Sequence, residues 1–262
     1  MKLGGLNIYP LKSGAPIALD HASLVDTGLL HDRRFMLVDV HGDFVTLRGY
    51  PKLVTVGAEI SSDHVVFTVA GERLEVPLES AGEDLFPVQI WGDYVDAVQV
   101  SAAADSLFSK FLGKRVRLMR FDRPERRQVD PGYAEPGDSV HFADGFPLLV
   151  CGTASLAALS EWLGADVSMS RFRPNVVVET DVPFIEDAWQ TIRVGDIPMD
   201  IVKPCARCVG VNADPDSGRV TKEPLATLAK FRTQDQKVMF GQNAIHRAMG
   251  VLRVGDPVVV ER

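Results

Sequence analysis

Two cysteines near the carboxyl end of the chain have the spacing most suggestive of chemistry. Cys205 and Cys208 form a CxxC pair, which can ligate a metal, exchange disulfides or supply a reactive thiolate. A zinc site needs two further ligands, but the third cysteine, Cys151, lies in an apolar stretch typical of a core strand. The six histidines form no pair at ligand spacing. These observations disfavour zinc.

A thiol redox site is a second interpretation of the same pair. Thioredoxin-like motifs lie between a strand and a helix in a βαβ unit. Here Pro204 precedes the pair and the turn-rich residues 212–218 follow it, so the usual setting is missing. A thiol switch and simple burial of the cysteines stay open as alternatives at this point.

The composition is that of a globular protein with an acidic surface. The 262 residues are 46% hydrophobic and 24% charged, and the net charge is −7. This balance argues against nucleic acid as a partner, because phosphate neutralisation needs a basic face. No apolar run reaches the ~18 residues of a membrane helix, and the start lacks a signal peptide's apolar core. With three cysteines and no disulfide framework, we expect a cytoplasmic protein without a membrane partner.

Arginines cluster in two places despite the acidic total. The first cluster, residues 115–127, includes the mixed-charge run 120–127, for which a solvated loop is the preferred interpretation. The second consists of Arg171 and Arg173, just before a run of valines. Because arginine presents a planar pair of donors to phosphate, a few of these residues are candidates for a local anion site.

The elements that must position these residues are mainly β strands. Alternating apolar residues between turn pairs predict a β-rich first half, with a hairpin around Val40-His41-Gly42 and a turn at Gly92-Asp93. We expect strands at residues 34–39, 43–48, 53–60, 64–69, 73–77, 88–91, 94–100, 115–120, 147–151, 176–178, 191–194, 199–202, 250–254 and 257–261. The strand at 199–202 should end at Pro204 and Cys205.

Three short helices interrupt the strands. Asp105 is expected to cap the first, which ends at Gly113, and Thr153 to cap the second, which ends at Gly164. The third spans residues 224–231 with a proline in its first turn.

A long loop divides the chain. Residues 122–145 are rich in Pro, Gly, Asp and Arg, and long loops of this kind are often functional. We therefore predict an α+β fold class, mainly β with short helices, in two domains. Residues 1–121 form an amino-terminal barrel-like domain, and residues 122–262 form a carboxyl-terminal β-barrel.

The residues around the cysteine pair resemble the signature of the MOSC family, whose domains are shared with molybdenum-cofactor sulfurases. The signature reads Lys203-Pro204-Cys205-Ala206-Arg207-Cys208, followed by Asp214-Pro215-Asp216-Ser217-Gly218. Other segments match in order along nearly the whole chain: Ile8-Tyr9-Pro10-Leu11-Lys12-Ser13, Asp32-Arg33-Arg34-Phe35, Arg171-Phe172-Arg173-Pro174-Asn175-Val176-Val177-Val178, Glu223-Pro224-Leu225, Phe240-Gly241-Gln242-Asn243 and Arg253-Val254-Gly255-Asp256. The amino-terminal segments are similar to the β-barrel domain that precedes MOSC in the mitochondrial amidoxime-reducing component and its bacterial relatives.

The resemblance implies a molybdenum cofactor of the molybdopterin type. It assigns Cys208 as the metal ligand and catalytic residue, which agrees with the preference of a sulfur-bound metal for a soft thiolate. Cys205 becomes a structural or assisting neighbour. The further cofactor contacts that the resemblance implies are Lys12, Ser13, Arg34, Gly145, Phe146, Arg173, Asn175, Ala206 and Arg207.

Two local arguments support these contacts. Lys12-Ser13-Gly14 combines a cation, a hydroxyl and a flexible backbone, as an anion-contacting loop requires. Arg173 precedes Pro174, which favours an extended backbone and a defined side-chain direction. For each residue taken alone, a surface salt bridge or a turn is the alternative role.

By the same resemblance, the protein is expected to be an oxidoreductase that reduces amidoximes, hydroxylamines and N-oxides. The cofactor should lie in the groove between the two domains. Some bacterial relatives carry an iron–sulfur ferredoxin domain, and this chain ends at Arg262 without such a motif. We therefore expect a separate ferredoxin- or cytochrome b5-like electron donor beside the small-molecule substrate. The alternatives are a cofactor carrier or sulfur-transfer protein using a Cys208 persulfide, and a β protein with a thiol switch.

Overall fold

Short stretches of alternating apolar and polar residues fold into strands over most of the chain. The computed structural model describes residues 1–79, 85–122 and 126–262. The strands of the first half are β1 (Lys2–Ile8), β2 (Ile17–Leu19), β3 (His21–Val25), β4 (Gly28–Leu29), β5 (Phe35–Val38), β6 (Phe44–Val45), β7 (Gly57–Ile60), β8 (His64–Val69), β9 (Glu72–Pro77), β10 (Leu85–Ile90), β11 (Asp93–Gln99) and β12 (Arg117–Arg120). Those of the second half are β13 (Arg127–Gln128), β14 (Ser139–Val140), β15 (Leu148–Gly152), β16 (Val176–Glu179), β17 (Thr191–Val194), β18 (Ile197–Arg207), β19 (Thr233–Gln234), β20 (Lys237–His246), β21 (Gly250–Arg253) and β22 (Val258–Val260).

The described residues contain three α-helices at the positions that the sequence predicted, although two of the predicted N-terminal caps were wrong. They are α1 (Ala102–Leu112), α2 (Thr153–Leu163) and α3 (Leu225–Arg232). The Ser101 hydroxyl caps α1 by accepting from the Ala104 amide, whereas Asp105 accepts from the Leu118 amide and ties the helix to β12. Gly152, not Thr153, is the residue before α2. Both helices end as predicted, at left-handed Gly113 and Gly164.

The largest sheet contains strands from both ends of the chain. Its order is β2-β1-β16-β15-β20-β18-β17-β22, with β19 added beside β20, and every pairing except β15 with β16 is antiparallel. Leu3 and Leu6 of β1 pack in one core with Val150, Val176 and Met199. The first strand therefore belongs to the sheet of the second half, and the division after residue 121 stays a prediction.

A second group of elements builds the rest of the first half. One sheet has the order β10-β11-β12-β5-β6, another β7-β8-β9, and α1 covers them. Edge-to-face ring contacts join Phe35, Phe67 and Phe108 at the centre of this core, with centroid separations of 5.4 and 6.1 Å. Two small sheets, β21-β3-β4 and β13-β14, complete the fold, which is mainly β as predicted.

Three local predictions were wrong. Residues Pro51–Thr55 form a 3₁₀ helix before β7 rather than a strand. Strand β18 continues to Arg207 because β20 pairs with it beyond Pro204. Arg120 and Arg127 are not solvated: they are 1% and 5% exposed, and each pairs with a carboxylate. Residues 123–125 of that predicted loop lie outside the described residues.

None of the helices in the described parts of the chain has the length and apolar character needed to cross a membrane.

Candidate functional site

Two guanidinium groups lie against one buried tyrosine just after β1. The Cζ atoms of Arg33 and Arg173 are 4.3 and 4.2 Å from the Tyr9 ring centroid. Tyr9 is fully buried and donates its hydroxyl to the Pro174 carbonyl over 3.2 Å. Burial raises the pKa of Tyr9 above its usual range, so the ring is neutral and holds the two cations by cation–π contact.

Arg33 is held in place by three acceptors. Its guanidinium donates to the Asp32 carboxylate at 2.5 Å, to Asn175 Oδ1 at 3.1 Å and to the Arg173 carbonyl at 3.0 Å. Asn175 is 2% exposed. Its side-chain Oδ1 also accepts from the Leu149 backbone amide, and its Nδ2 donates to the Asn7 carbonyl. Asn175 therefore positions Arg33 and joins β15 and β16 to the end of β1.

Arg173 carries the clearest sign of a missing ligand. Its Nη1 donates to the Gly14 carbonyl over 2.6 Å, but its enclosed Nη2 has no hydrogen-bond partner among the described residues. Burial, and then repulsion from Arg33, lower the pKa of Arg173 to about 10. A bound anion would supply the missing acceptor and offset both effects, so these residues fit a phosphate.

A lysine and an aspartate form a second charged pair at the same place. Lys12 is 6% exposed, and its ammonium donates to the Phe142 carbonyl at 2.8 Å and to the Asp144 carboxylate at 2.6 Å. Burial lowers the pKa of Lys12 while Asp144 opposes that shift. Burial also works to raise the pKa of Asp144, but Lys12 holds it below its usual range. The Asp144 side chain is 76% exposed, so this ion pair joins a buried ammonium to a carboxylate at the surface.

Arg127 supports the segment that carries Asp144. It lies below the surface and donates to the Ala143 carbonyl at 2.5 Å and to the Asp144 carbonyl at 3.4 Å. Its Nε donates to Asp93 at 2.7 Å. A buried arginine thus fixes the backbone from which Asp144 reaches Lys12.

Backbone strain concentrates around these side chains. Ser13, Arg33 and Arg173 have φ values of 74°, 47° and 57°, in the left-handed region that side chains other than glycine avoid. The extended backbone predicted for Arg173 is wrong, because the 3₁₀ turn Met169–Phe172 ends on it and its amide bonds the Ser170 carbonyl. The Ser13 hydroxyl accepts from the Leu47 amide over 3.1 Å. Such strain is typical of positions that bind ligands.

The two cysteines of the CxxC pair lie in different surroundings. Strand β18 has a bulge between Pro204 and Ala206, and bulges re-aim the side chains that follow. Arg207 donates to the Cys205 sulfur at 2.8 Å and to the Phe172 carbonyl at 2.8 Å. Cys208 follows the strand, is exposed, and accepts only a long contact, 3.4 Å, from the Gly210 amide in the described structure. Cys208 is therefore the thiol open to a ligand.

A depression lies between Arg173 and the loop that follows Cys208. Leu47 and Arg173 lie on its wall, and so does Gly210, where an added Cβ would lie 2.7 Å from Leu47 and 3.4 Å from the Cys208 sulfur. The other residues of its wall are Ala15, Pro16, Val54, Ser170, Arg171, Ala213 and Pro215. Arg173 thus supplies a cation to this wall, and Gly210 brings the wall close to the Cys208 thiol.

The structure brings together most of the residues that the sequence predicted. Lys12, Ser13, Arg173 and Asn175 lie in neighbouring segments around Tyr9 and Arg33, and Cys208 follows Ala206 and Arg207 beside Gly210, which shares a depression with Arg173. Gly145 directly follows Asp144, while the Phe146 ring packs on Tyr133 with a centroid separation of 5.9 Å.

Arg34 is the predicted contact that the structure places elsewhere. Its Nη2 donates to Asp122 and Glu79, both at 3.0 Å, because the left-handed turn at Arg33 sends the two adjacent guanidiniums in different directions. Arg33, rather than Arg34, contacts Tyr9 beside Arg173. Arg33 and Asp144 were not among the predicted contacts, although Arg33 belongs to the matched segment Asp32-Arg33-Arg34-Phe35.

Comparisons with known proteins match the two halves of the chain to two domain families. A family model described as the MOSC domain matches residues 137–259, and one described as the MOSC N-terminal beta barrel domain matches residues 1–115. Mitochondrial amidoxime-reducing component 1 of Danio rerio is 32% identical over 97% of this chain and 82% of its own length. The Homo sapiens protein of that name is 29% identical, over 96% and 80%. The molybdenum cofactor sulfurase of Solanum lycopersicum is 26% identical over 98% of this chain and 35% of its own length.

Proposed function

The chain belongs to the family of MOSC-domain proteins that carry a MOSC N-terminal beta barrel domain, and from this membership we propose that it binds a molybdenum cofactor of the molybdopterin type. One observation carries the proposal: the enclosed Nη2 of Arg173 has no acceptor among the described residues, and Arg173 shares the wall of a depression with Gly210, which lies beside the exposed Cys208. An anionic cofactor with a phosphate and a sulfur-bound metal would supply an acceptor to Arg173 and a metal to Cys208.

Each part of the site receives a role under this proposal. Cys208 ligates the metal through its thiolate. Lys12, Ser13, Arg33 and Arg173 hold the phosphate, and we assign the second guanidinium to Arg33 instead of Arg34.

Other residues position these groups or add weaker contacts. Asn175 and Asp32 orient Arg33 by hydrogen bonding, and Arg127 holds the backbone of Asp144. The backbones of Gly145, Phe146, Ala206 and Arg207 are the remaining proposed contacts with the cofactor.

For the reaction, we propose reduction of amidoximes, hydroxylamines and N-oxides. The bound cofactor would supply the redox chemistry, in which two electrons and two protons remove the oxygen of the N–O bond as water, leaving N–H from an N-hydroxyl compound or the free amine from an N-oxide. The chain's own residues bind the cofactor, shield its phosphate and leave the thiol side open to substrate. Electrons come from a separate protein of the ferredoxin or cytochrome b5 kind. The three unpaired cysteines favour a reducing compartment, and we propose the cytoplasm.

Sulfur transfer is the second candidate, and one contact favours it. Arg207 lies 2.8 Å from the Cys205 sulfur, where a guanidinium stabilises an anionic sulfur such as a persulfide. In that case one cysteine of the pair accepts the outer sulfur of a donor persulfide, and the other thiol then attacks it, so that a disulfide forms within the pair and the sulfur leaves as sulfide to the bound cofactor. Mass spectrometry of the isolated protein should find one cysteine heavier by a sulfur atom.

Metal analysis of protein expressed in a cofactor-competent host tests the proposal. Wild type should contain about one molybdenum per chain, in keeping with one ligating thiolate, and should reduce benzamidoxime with a dye donor. Cys208→Ser should lose the metal while remaining folded, and Cys205→Ser, the matched control, should retain it. Equal metal in wild type and Cys208→Ser contradicts the ligand assignment. A loaded wild type inactive on a panel of N-hydroxylated compounds contradicts the reductase.

A further inference from the structure

Two aromatic rings and an arginine stack together on the surface of the first-half hairpins. The Arg48 Cζ lies over the Trp91 ring, 4.2 Å from its centroid, and 5.6 Å from the Phe44 centroid. The Phe44 and Trp91 rings are themselves 5.3 Å apart. Trp91 is 47% exposed, so this stack of a guanidinium on an indole is open to solvent. We call Phe44, Arg48 and Trp91 the rim.

The rim is tied to both ends of the proposed cofactor site. The Trp91 Nε1 donates to Asp144 over 3.3 Å, and Asp144 is the carboxylate that pairs with Lys12. Leu47, the residue before Arg48, donates its amide to the Ser13 hydroxyl and lies against Gly210, beside Cys208. The rim is therefore linked to Lys12 through Asp144, and to Ser13 and the neighbourhood of Cys208 through Leu47.

Two features show that the rim is held in place, yet has hydrogen-bond donors without an acceptor in the described structure. Trp91 has a φ of 53°, which a bulky residue rarely adopts, and ring contacts and the bond to Asp144 hold it there. Arg48 donates from Nε to the Thr46 hydroxyl, but its two Nη atoms have no acceptor within the described ranges. A half-exposed indole and a guanidinium with two available Nη donors are groups that commonly line a small-molecule site.

We propose that the rim is the specificity wall for the substrate and selects planar, conjugated N-hydroxylated compounds over small aliphatic ones. A flat ring on the open side of the stack contacts the guanidinium plane and the exposed indole. The free Nη groups of Arg48 donate to acceptor atoms of the same molecule. This inference rests on the proposed reductase function, since it names the substrate class for that site.

The first test is binding without turnover. Benzamidoxime is titrated into the molybdenum-loaded protein with no electron donor present, and tryptophan fluorescence is followed. Trp189 is 5% exposed and Trp162 stacks between Phe184 and Phe231. Trp91 is therefore the tryptophan whose fluorescence a ligand bound at the rim should quench. Quenching should saturate in wild type and in the control Tyr94→Ala, which alters the same hairpin, and should be lost in Trp91→Ala. Quenching that persists in Trp91→Ala overturns the proposal.

The second test is the choice between substrates. The ratio of kcat/KM for benzamidoxime to that for trimethylamine N-oxide should fall about 3- to 10-fold in Trp91→Ala and in Arg48→Gln, mainly through KM. Trp91→Phe, which keeps a ring, should lose less than Trp91→Ala. An unchanged ratio in both truncated variants overturns the proposal.

Molybdenum content, measured on the same preparations, separates the possible failures. If wild type binds no metal or reduces neither substrate, the proposed function fails. If wild type is active and the ratio does not move, only the rim proposal fails. If Trp91→Ala folds but loses molybdenum, the stack holds the cofactor, for example the base of a dinucleotide form, and the proposal is overturned.

Discussion

The Lys12 ammonium lies 2.6 Å from the Asp144 carboxylate, which joins residues 132 positions apart in the chain. The lysine side chain is buried and the aspartate side chain is exposed to solvent. If the proposed phosphate contacts this ammonium, Asp144 supplies the negative charge beside Lys12 until the anion binds. The proposal therefore predicts a link between the stability of the empty site and anion binding.

Replacing Asp144 by asparagine should expose this link. Asp144→Asn keeps an acceptor for Trp91 but leaves Lys12 buried without its counter-charge, which costs about 1–2 kcal/mol once the exposure of Asp144 is allowed for. Inorganic phosphate should then raise Tm more in Asp144→Asn than in wild type, since it replaces the lost charge. Thermal unfolding with and without phosphate measures both effects.

Asp93→Asn is the matched control for that experiment. Asp93 pairs with the buried Arg127 at 2.7 Å and is itself half exposed. This pair therefore joins a buried cation to an exposed carboxylate, as the pair of Lys12 with Asp144 does. Asp93→Asn should lose similar stability without gaining phosphate sensitivity. An equal phosphate response in both variants argues against an anion site at Lys12.

Arg33 and Arg34 are adjacent in sequence, and their variants should behave in opposite ways. Arg33→Gln removes a cation from the Tyr9 stack and should lower affinity for the cofactor about tenfold, seen as lost molybdenum in a folded protein. Arg34→Gln breaks pairs with Asp122 and Glu79 and should lower Tm while the metal is retained. Metal loss in a stable Arg34→Gln, with metal kept in Arg33→Gln, reverses the assignment.

Local signals in the sequence were enough to predict much of this molecule. The mainly β class, the helix ends at Gly113 and Gly164 and the hairpin at Gly42 follow from side-chain pattern and from glycine's access to positive φ. The matched segments contained Lys12, Arg173 and Cys208; Arg173 lines a depression that reaches Gly210, beside Cys208, and the roles of all three residues stay predictions.

What the sequence could not predict depends on contacts between distant residues. The pairing of β1 with β16 follows from a core shared by both halves of the chain. The choice between Arg33 and Arg34 depends on which way the backbone faces before β5. Arg173 adopts a left-handed backbone despite the following proline, because the turn before it and the contact with Tyr9 determine its conformation.

Gly241 should be sensitive to the smallest substitution. Its φ is 75°, and an added Cβ would lie 2.6 Å from the Cys151 sulfur and 2.9 Å from the Val150 carbonyl oxygen. Gly113 has a similar φ of 68° and open space around it, so Gly113→Ala measures backbone strain alone, about 1–2 kcal/mol. Gly241→Ala should lose about 2 kcal/mol more in urea unfolding, because β15 and β20 must separate. Equal losses would show that the interior accommodates the methyl group.

His31 should make stability depend on pH in the mildly acidic range. Burial, and then the Arg34 charge, lower its pKa to about 4, against about 6.5 in an unfolded chain. Between these values the unfolded chain binds a proton that the folded protein does not. Stability is therefore complete above pH 6.5 and falls as the pH approaches 4. The contribution of His31 should shrink by about 1 kcal/mol between pH 7 and pH 5, once the partial exposure of the ring is allowed for.

Urea unfolding of His31→Gln at those two pH values isolates this contribution. The variant should lose less stability than wild type on acidification, with a remainder from His141 and His246, whose pKa values burial also lowers. His41→Gln, at an exposed position, controls for removal of an imidazole as such. If wild type and His31→Gln lose the same stability, the His31 ring is protonated in the folded protein. Its Nδ1 atom, which has no hydrogen-bond partner among the described residues, must then find an acceptor elsewhere.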